Sequence, residues 1–317
     1  MGPAILAGSH PSGMGALAQA YLAARLPGAR VVEALDGLLL YASSAKVQAV
    51  RRLAGFAAGY RVVAAVRGGF EALLPALDAA RLAQAVAYAE RPPRLRAMFR
   101  RENQPVAVPE RMRQAAEGAI RAAGCAVDRT HPAGELVCLE RSEGLSLALL
   151  RLTPAPAPAH PGQLRADLAA LMVFAAGDLR GLRAADPFCG WGGLLAPLSA
   201  AGAEVAASDI DENCVKFCRK LRLPGVEVSR ADIFAPSRAH WDAVVTDPPW
   251  GDFAPLPADF YPRLVDALAA RVGPGAPVVL LCGRQIDLPE GPFERAALAE
   301  PLVNGKKATL WRLKKPL

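Results

Sequence analysis

Asp247-Pro248-Pro249-Trp250-Gly251 follows the apolar run Ala243, Val244 and Val245, and its residue types suit chemistry. The two prolines fix φ and hold a carboxylate and a carbonyl in one orientation in advance. A planar substrate can stack on Trp250 while Asp247 and the Pro248 carbonyl accept hydrogen bonds from an exocyclic amine. Those bonds would turn the amine's lone pair toward an electrophile, so catalysis would be positioning plus electrostatics. Gly251 leaves room for the ring. The bland alternative is a tight turn with a packed tryptophan. Three more acids, Asp186, Asp209 and Asp232, stand at the ends of expected strands, at intervals of 23, 23 and then 15 residues to Asp247. A single carboxylate there is often a helix cap. Four in succession point to a ligand site, because open parallel sheets bind beyond the carboxyl ends of their strands.

The glycines narrow the ligand. Gly190-Trp191-Gly192-Gly193-Leu194-Leu195 begins like a dinucleotide fingerprint but has Leu195 where a glycine belongs, and no Gly-Lys-Ser/Thr follows. Asp209 sits where an acid could accept both ribose hydroxyls, with Asp211 as the competitor. Asp232 could accept from an adenine amino group, with Ile233 or Phe234 against the ring. A nucleoside without a pyrophosphate fits this inventory better than NAD does.

The elements that must carry these residues alternate in type. After an Ala-Pro stretch at 153–162, helical spacing in 164–176 is followed by strands ending at Asp186, Asp209, Asp232 and Asp247, with helices between the first three. A helix at 260–273 and a strand at 276–283 come next, and the chain closes on a hairpin around Asn304-Gly305. This pattern means an α/β parallel sheet covered on both faces and finished by an antiparallel hairpin. The first half reads as α+β: a hairpin at Asp36-Gly37, helices over 45–56 and 70–89, a helix over 109–124, and strands at 134–142 and 145–152.

Charge is unevenly spread. Residues 1–153 hold 19 Lys and Arg against 12 Asp and Glu, and residues 154–317 hold 18 of each. A basic half joined to a balanced one suggests a polyanion-binding module beside a catalytic one. Arg91, Arg94, Arg96, Arg100 and Arg101 lie within eleven residues and could grip phosphates; a solvated arginine face is the alternative. The six cysteines show no paired spacing, and the four histidines form no triad or metal pattern, so no metal is expected. There is no apolar run of about eighteen residues and no basic segment ahead of the short apolar start, which excludes a membrane span or secretory signal and implies a cytoplasmic protein.

"DPFCGWGG", "SDID", "RADIF" and "TDPPWG", in that order, resemble the motifs of S-adenosylmethionine-dependent methyltransferases acting on base amino groups. "HPGQLRADLAALMVFAA" resembles the helix that precedes the first motif in THUMP-containing RNA methyltransferases. The stretch from "FRRENQPVAVPERM" to "LSLALLRL" is similar to a THUMP domain preceded by a ferredoxin-like partner. The resemblance implies a ferredoxin-like domain over 1–95, a THUMP RNA-binding domain over 96–153, a linker over 154–162 and a Rossmann-like methyltransferase domain over 163–317. It implies a family similar to tRNA guanine-N2-methyltransferases, with a neighbouring branch acting on ribosomal RNA. Asp186, Phe188, Gly190 and Gly192 would then line the methionine end of the cofactor, Asp209 with Ile210 the ribose, and Asp232 with Ile233 the adenine. Asp247, Pro248, Pro249 and Trp250 would take the target base, leaving its stack to do so. Trp191 stands where a small residue is common. A tryptophan crowding the cofactor would leave a silent RNA-binding protein, the rival reading from another class.

Overall fold

The structure, a computed structural model, describes residues 3–87, 93–154, 160–251, 254–289 and 291–316. It divides into two compact units, one of residues 1–9 and 22–156, the other of residues 10–21 and 157–317. Chain positions 155–159, most of the expected linker, lie outside the described residues, as does Arg91.

The first unit is built on β1 (Ala4–Ser9), α1 (Gly15–Arg25), β2 (Arg30–Leu35), β3 (Leu38–Ser43), α2 (Val47–Arg51), β4 (Ala58–Arg67), α3 (Phe70–Leu73), α4 (Ala79–Val86), β5 (Arg94–Arg101), β6 (Gln104–Pro105), α5 (Glu110–Ala122), β7 (Ala126–Val127), β8 (Gly134–Glu140) and β9 (Leu145–Arg151). Its strands form one sheet in the order β2-β3-β1-β4-β9-β8-β5-β6, with β7 beside β5. The expected domain boundary at 95/96 therefore falls inside β5. Most of α1, through Tyr21, groups with the second unit, where Tyr21 meets Phe174 edge to face at 5.3 Å. The helix expected over 70–89 is broken. Pro75 lacks the N–H that would continue it, so the chain passes through a 3₁₀ turn at Leu74–Ala76. Asp78 then caps a new helix by accepting from the Ala80 and Arg81 amides.

Leu38 and Leu40 of β3 share one apolar face with Ala7 of β1, Tyr60 and Val62 of β4, and Val137, Leu139, Leu147 and Leu149 of β8 and β9. The sheet curls along this face, because the β8–β9 turn reaches the β2–β3 turn. Arg141 pins that curl, its Nη2 donating to the Asp36 carbonyl at the β2–β3 turn at 2.8 Å. Its guanidinium also pairs with Glu102 at 2.6 Å and Glu143 at 3.2 Å. The other face is covered by α3, α4 and α5 through Phe70, Leu73, Leu82 and Ile120.

The second unit runs α6 (Ala166–Ala176), β10 (Arg183–Asp186), α7 (Leu195–Ala200), β11 (Glu204–Asp209), α8 (Glu212–Lys220), β12 (Val226–Arg230), β13 (Ala243–Thr246), α9 (Phe260–Ala269), β14 (Pro277–Gly283), β15 (Glu294–Ala299), β16 (Leu302–Val303) and β17 (Lys306–Lys314). The order β12-β11-β10-β13-β14-β17-β15 is parallel from β12 to β14, and β17 then pairs antiparallel with both β14 and β15. This is the expected sheet with its closing hairpin. Asn304 and Gly305 supply the two positive φ angles, 50° and 81°, that a tight hairpin of this hand requires. Among the described residues no helix is long and apolar enough to cross a membrane.

Arg141→Met should destabilise the first unit by about 1–2 kcal/mol in urea unfolding, because it removes the bonds of one buried guanidinium to the Asp36 carbonyl, Glu102 and Glu143. Glu102→Gln, on the exposed side of the same cluster, should cost about 1 kcal/mol or less.

Candidate functional site

Strand order reverses between β10 and β13, and this puts Asp186 and Asp247 side by side. Asp186 ends β10 and is 1% exposed. Thr246, the last residue of β13, donates its hydroxyl to Asp186 Oδ1 at 2.7 Å, and the Phe188 amide donates at 3.4 Å. Burial nevertheless pushes the Asp186 carboxyl up to about 7, with the nearby Asp209 charge adding to the rise.

Asp209 ends β11, and its two oxygens accept from the Gly190 and Asp211 amides, each at 2.9 Å. It thus ties the glycine turn to the strand end and keeps lone pairs for a further donor. Gly190 has φ +46°, and a Cβ there would stand in open space. Gly192 is required for another reason: at φ +76° its Cβ would come within 2.9 Å of Leu221 and 3.2 Å of the Cys218 sulfur. Asp211 is a helix cap, accepting from the Asn213 amide at 2.8 Å at the start of α8. Asp232 lies two residues beyond β12, where its carboxylate accepts from the Phe234 amide at 2.9 Å. Ile233 is buried in the core, Phe188 packs against Phe260, and Ile210 is 66% exposed beside Asp209. A cavity of about 450 Å³ opens at Ser208, Asp232 and Ile233 and runs to Arg183 and Arg271. It lies along the helix-free segment that joins β12 to β13.

Beyond β13 the Asp247–Trp250 loop is held at every residue but one. The Trp250 indole N–H donates to Asp247 Oδ1 at 2.9 Å and to the Leu281 carbonyl at 3.2 Å. Tyr261 on α9 donates its hydroxyl to the Pro249 carbonyl at 2.9 Å, and Gln285 reaches the Trp250 carbonyl at 3.4 Å. Pro248 is buried and Pro249 exposed, while Trp250 and Asp247 are half-buried. Burial pushes the Asp247 carboxyl up to about 7; the Trp250 bond works against that rise and the Asp186 charge adds to it. Sequence reasoning missed Thr246, Tyr261 and Gln285. Thr246 carried a signal, standing next to Asp247 at the strand end. Tyr261 and Gln285 come from other elements and carried none.

Trp191 stacks on His160 with ring centroids 3.6 Å apart and meets Phe217 of α8 edge to face at 5.4 Å. Gln163 donates to the Trp191 carbonyl at 3.0 Å. The indole is thus engaged by the segment leading into α6 and by α8.

The described arginines of the basic cluster lie along β5 on both faces of the sheet. Arg94 pairs with Asp128 at 3.1 Å and Arg101 with Glu140 at 3.3 Å. Arg96 shares Glu135 with Arg151, and although burial opposes it, their hydrogen bonds hold that carboxyl below its ordinary range. Among the described residues Arg100 pairs with no carboxylate, and its Nε is buried without a partner. Three of the five expected phosphate-gripping residues thus engage carboxylates of their own unit.

Residues 157–309 match the family model described as UPF0020: RMKL-like, methyltransferase domain. Over these residues the second unit is similar to a methyltransferase domain. The chain is 31% identical over 152 residues to the tRNA (guanine(10)-N2)-dimethyltransferase of Methanothermobacter thermautotrophicus, covering 44% of this chain and 45% of that one. It is 33% identical over 126 residues to the ribosomal RNA small subunit methyltransferase C of Chromohalobacter salexigens, covering 39% and 38%. It thus spans less than half the length of these two curated relatives. The fold of TrmN from Thermus thermophilus superposes on 98% of this chain and 99% of that one, with a TM-score of 0.77 at 23% identity. A possible methylase from Clostridium difficile 630 gives a TM-score of 0.71 at 12% identity, over 99% and 98% of the two chains. Both share the fold of this chain.

Asp186 holds its proton more tightly in the folded chain than an ordinary aspartate of pKa 3.8 does. Its contribution to stability is therefore full below about pH 4 and is lost as pH rises through about 7. Asp186→Asn keeps the acceptor for Thr246 and should be more stable than the parent at pH 8 by on the order of 2–4 kcal/mol, with the gap closing toward pH 4. Denaturant melts at the two pH values check this.

Proposed function

We propose that the chain transfers a methyl group from S-adenosylmethionine to an exocyclic amine of an RNA base, guanine N2 of tRNA being the foremost candidate. One observation carries the reading: the Asp247-Pro248-Pro249-Trp250 loop stands at the reversal of strand order, beside two further strand-end carboxylates, Asp186 and Asp209. The named activity of the archaeal tRNA relative supports guanine N2 of tRNA, and the bacterial ribosomal RNA relative supports ribosomal RNA as the second substrate.

The residues fit the cofactor. Open space over Gly190, the remaining lone pairs of Asp209 and the exposed Ile210 leave room for a nucleoside, with Asp232 and Ile233 further along the same strand ends. Asp186 would hold the methionine amino group, Asp209 the ribose and Asp232 the adenine. When bound, the cofactor supplies an electrophilic methyl on a sulfonium centre. Trp191 is held by His160 and Phe217, and cofactor titration decides between the enzyme and the silent RNA-binding protein.

Trp250 would stack the target base, and its amine would donate to Asp247 and to the Pro248 carbonyl, turning the nitrogen lone pair toward the methyl. A cofactor held there would give up its methyl to that lone pair and leave as the neutral thioether, and the methylated nitrogen would shed a proton. An Asp247 carboxyl near pKa 7 is matched to receive it. The first unit is proposed to bind the RNA in the cytoplasm, its ferredoxin-like (1–95) and THUMP (96–153) portions sharing the curled sheet. Arg100 is the cluster residue best placed for phosphate, because no carboxylate among the described residues engages it.

Asp247→Ala should lower kcat by about 10²–10³-fold, the usual loss of a preorganised polar group, with RNA affinity unchanged in filter binding. Calorimetric titration with S-adenosylmethionine should give binding that Asp209→Ala loses. The affinity should rise from pH 6 to pH 8 as Asp186 ionises to meet the cofactor's ammonium group. A folded protein that binds no cofactor would refute the enzyme reading.

A further inference from the structure

Asp247 Oδ1 already has a partner, the Trp250 indole N–H at 2.9 Å, and among the described residues none donates to Oδ2. The same N–H leans on the Leu281 carbonyl at 3.2 Å, so a single donor joins the carboxylate to the end of β14. The main chain on either side is clamped by Tyr261 on the Pro249 carbonyl and Gln285 on the Trp250 carbonyl. Ring, carboxylate and backbone therefore form one closed set. Phenylalanine would keep a flat face here but has no donor. Tyrosine carries its donor at the far end of the ring, away from the edge that meets Asp247.

Resting on the methyl-transfer reading above, we propose that Trp250 is the positioning residue for Asp247: its indole N–H fixes the carboxyl group and commits Oδ1, leaving Oδ2 for the base amine. The carboxylate needs such help. Asp186 on β10 faces it with a like charge, while Cys282 on β14 and Tyr261 on α9 bring no positive charge and carry protons that burial holds on. No cation acts on it, so the Trp250 donor is the one described group that favours its charged form. The hydrogen bond to an ionised acceptor is also the stronger kind, so it orients as well as stabilises. Stacking and positioning thus sit in one side chain, with the ring face for the base and the ring edge for the catalytic acid.

Two measurements test this. The first needs neither cofactor nor RNA. The Trp250 indole N–H resonance, assigned by its loss in Trp250→Phe, should titrate in an Asp186→Asn background, which removes the neighbouring carboxyl that also titrates near 7, and the titration should vanish when Asp247→Asn is added. A resonance that does not respond to pH in that background, or that still titrates in the double variant, overturns the proposal. The second compares pH profiles of methyl transfer. Trp250→Phe should move the acid limb of kcat upward by about one pH unit, a ten-fold loss on that limb that raising the pH rescues, while KM changes little because the ring face remains. A Trp250→Phe enzyme with the parental limb and only a raised KM would make Trp250 a stacking platform alone and overturn the proposal. Titration of the indole in a wild type that binds cofactor but transfers no methyl to RNA would instead sink the methyl-transfer reading, and the catalytic role of Trp250 with it.

Discussion

The Thr246 hydroxyl that donates to Asp186 ties together the two strands between which the sheet reverses its order. Much of the second unit depends on that junction. Because β10 and β13 are neighbours that leave in opposite directions, the loops after them part and open a crevice, and both strand-end carboxylates face the same small volume. Each suffers from burial and from a neighbouring carboxylate, Asp209 for Asp186 and Asp186 for Asp247, and each is steadied by donors: Thr246 and the Phe188 amide for Asp186, Trp250 for Asp247. Asp209 is a different case. It spends its oxygens on backbone amides and so shapes the glycine turn while remaining able to accept from a ligand.

This arrangement opposes stability to binding. A carboxyl buried with one hydroxyl for company disfavours its own ionisation, and a cationic or amine-bearing ligand relieves that cost by pairing with it. The folded chain without ligand therefore carries a penalty at neutral pH that a hydrophobic core of the same volume would not. The surrounding packing can bear it. Val244, Leu264, Leu268, Val278 and Leu280 are fully buried around the junction, and β13 and β14 pair in register beneath it.

The first unit solves a different problem. Its sheet has few helices to cover its second face, so the strands curl and bury leucines of β3, β8 and β9 along that one face. Arg141 closes the curl by satisfying a turn carbonyl and two glutamates at once. The arginines of β5 enter the same economy of paired charges. A basic composition thus translates into fewer uncommitted cations than the count suggests, because each pair formed inside the unit cancels one charge that a phosphate could have used.

Local chemistry was legible in the sequence. The period of the apolar residues, the glycine and proline punctuation and the strand-end acids determined the parallel sheet, its closing hairpin, and which residues stand at its carboxyl edge. Asp211 as a cap and Asn304-Gly305 as a turn follow the same way, since both act on backbone within a few residues. What only the tertiary structure decided are the pairings between distant elements. No spacing tells that Thr246 serves Asp186 sixty residues away, that the Trp250 ring edge serves Asp247 and Leu281, or that Trp191 lies on His160. Nor does composition tell that Arg96 and Arg151 share one glutamate. The place of β1 between β3 and β4, the continuity of the sheet across β5 and the place of residues 10–21 in the second unit were equally hidden. Periodicity is a property of one element against an average core, whereas these contacts depend on which element folding brings opposite, and that is settled by strand order and packing.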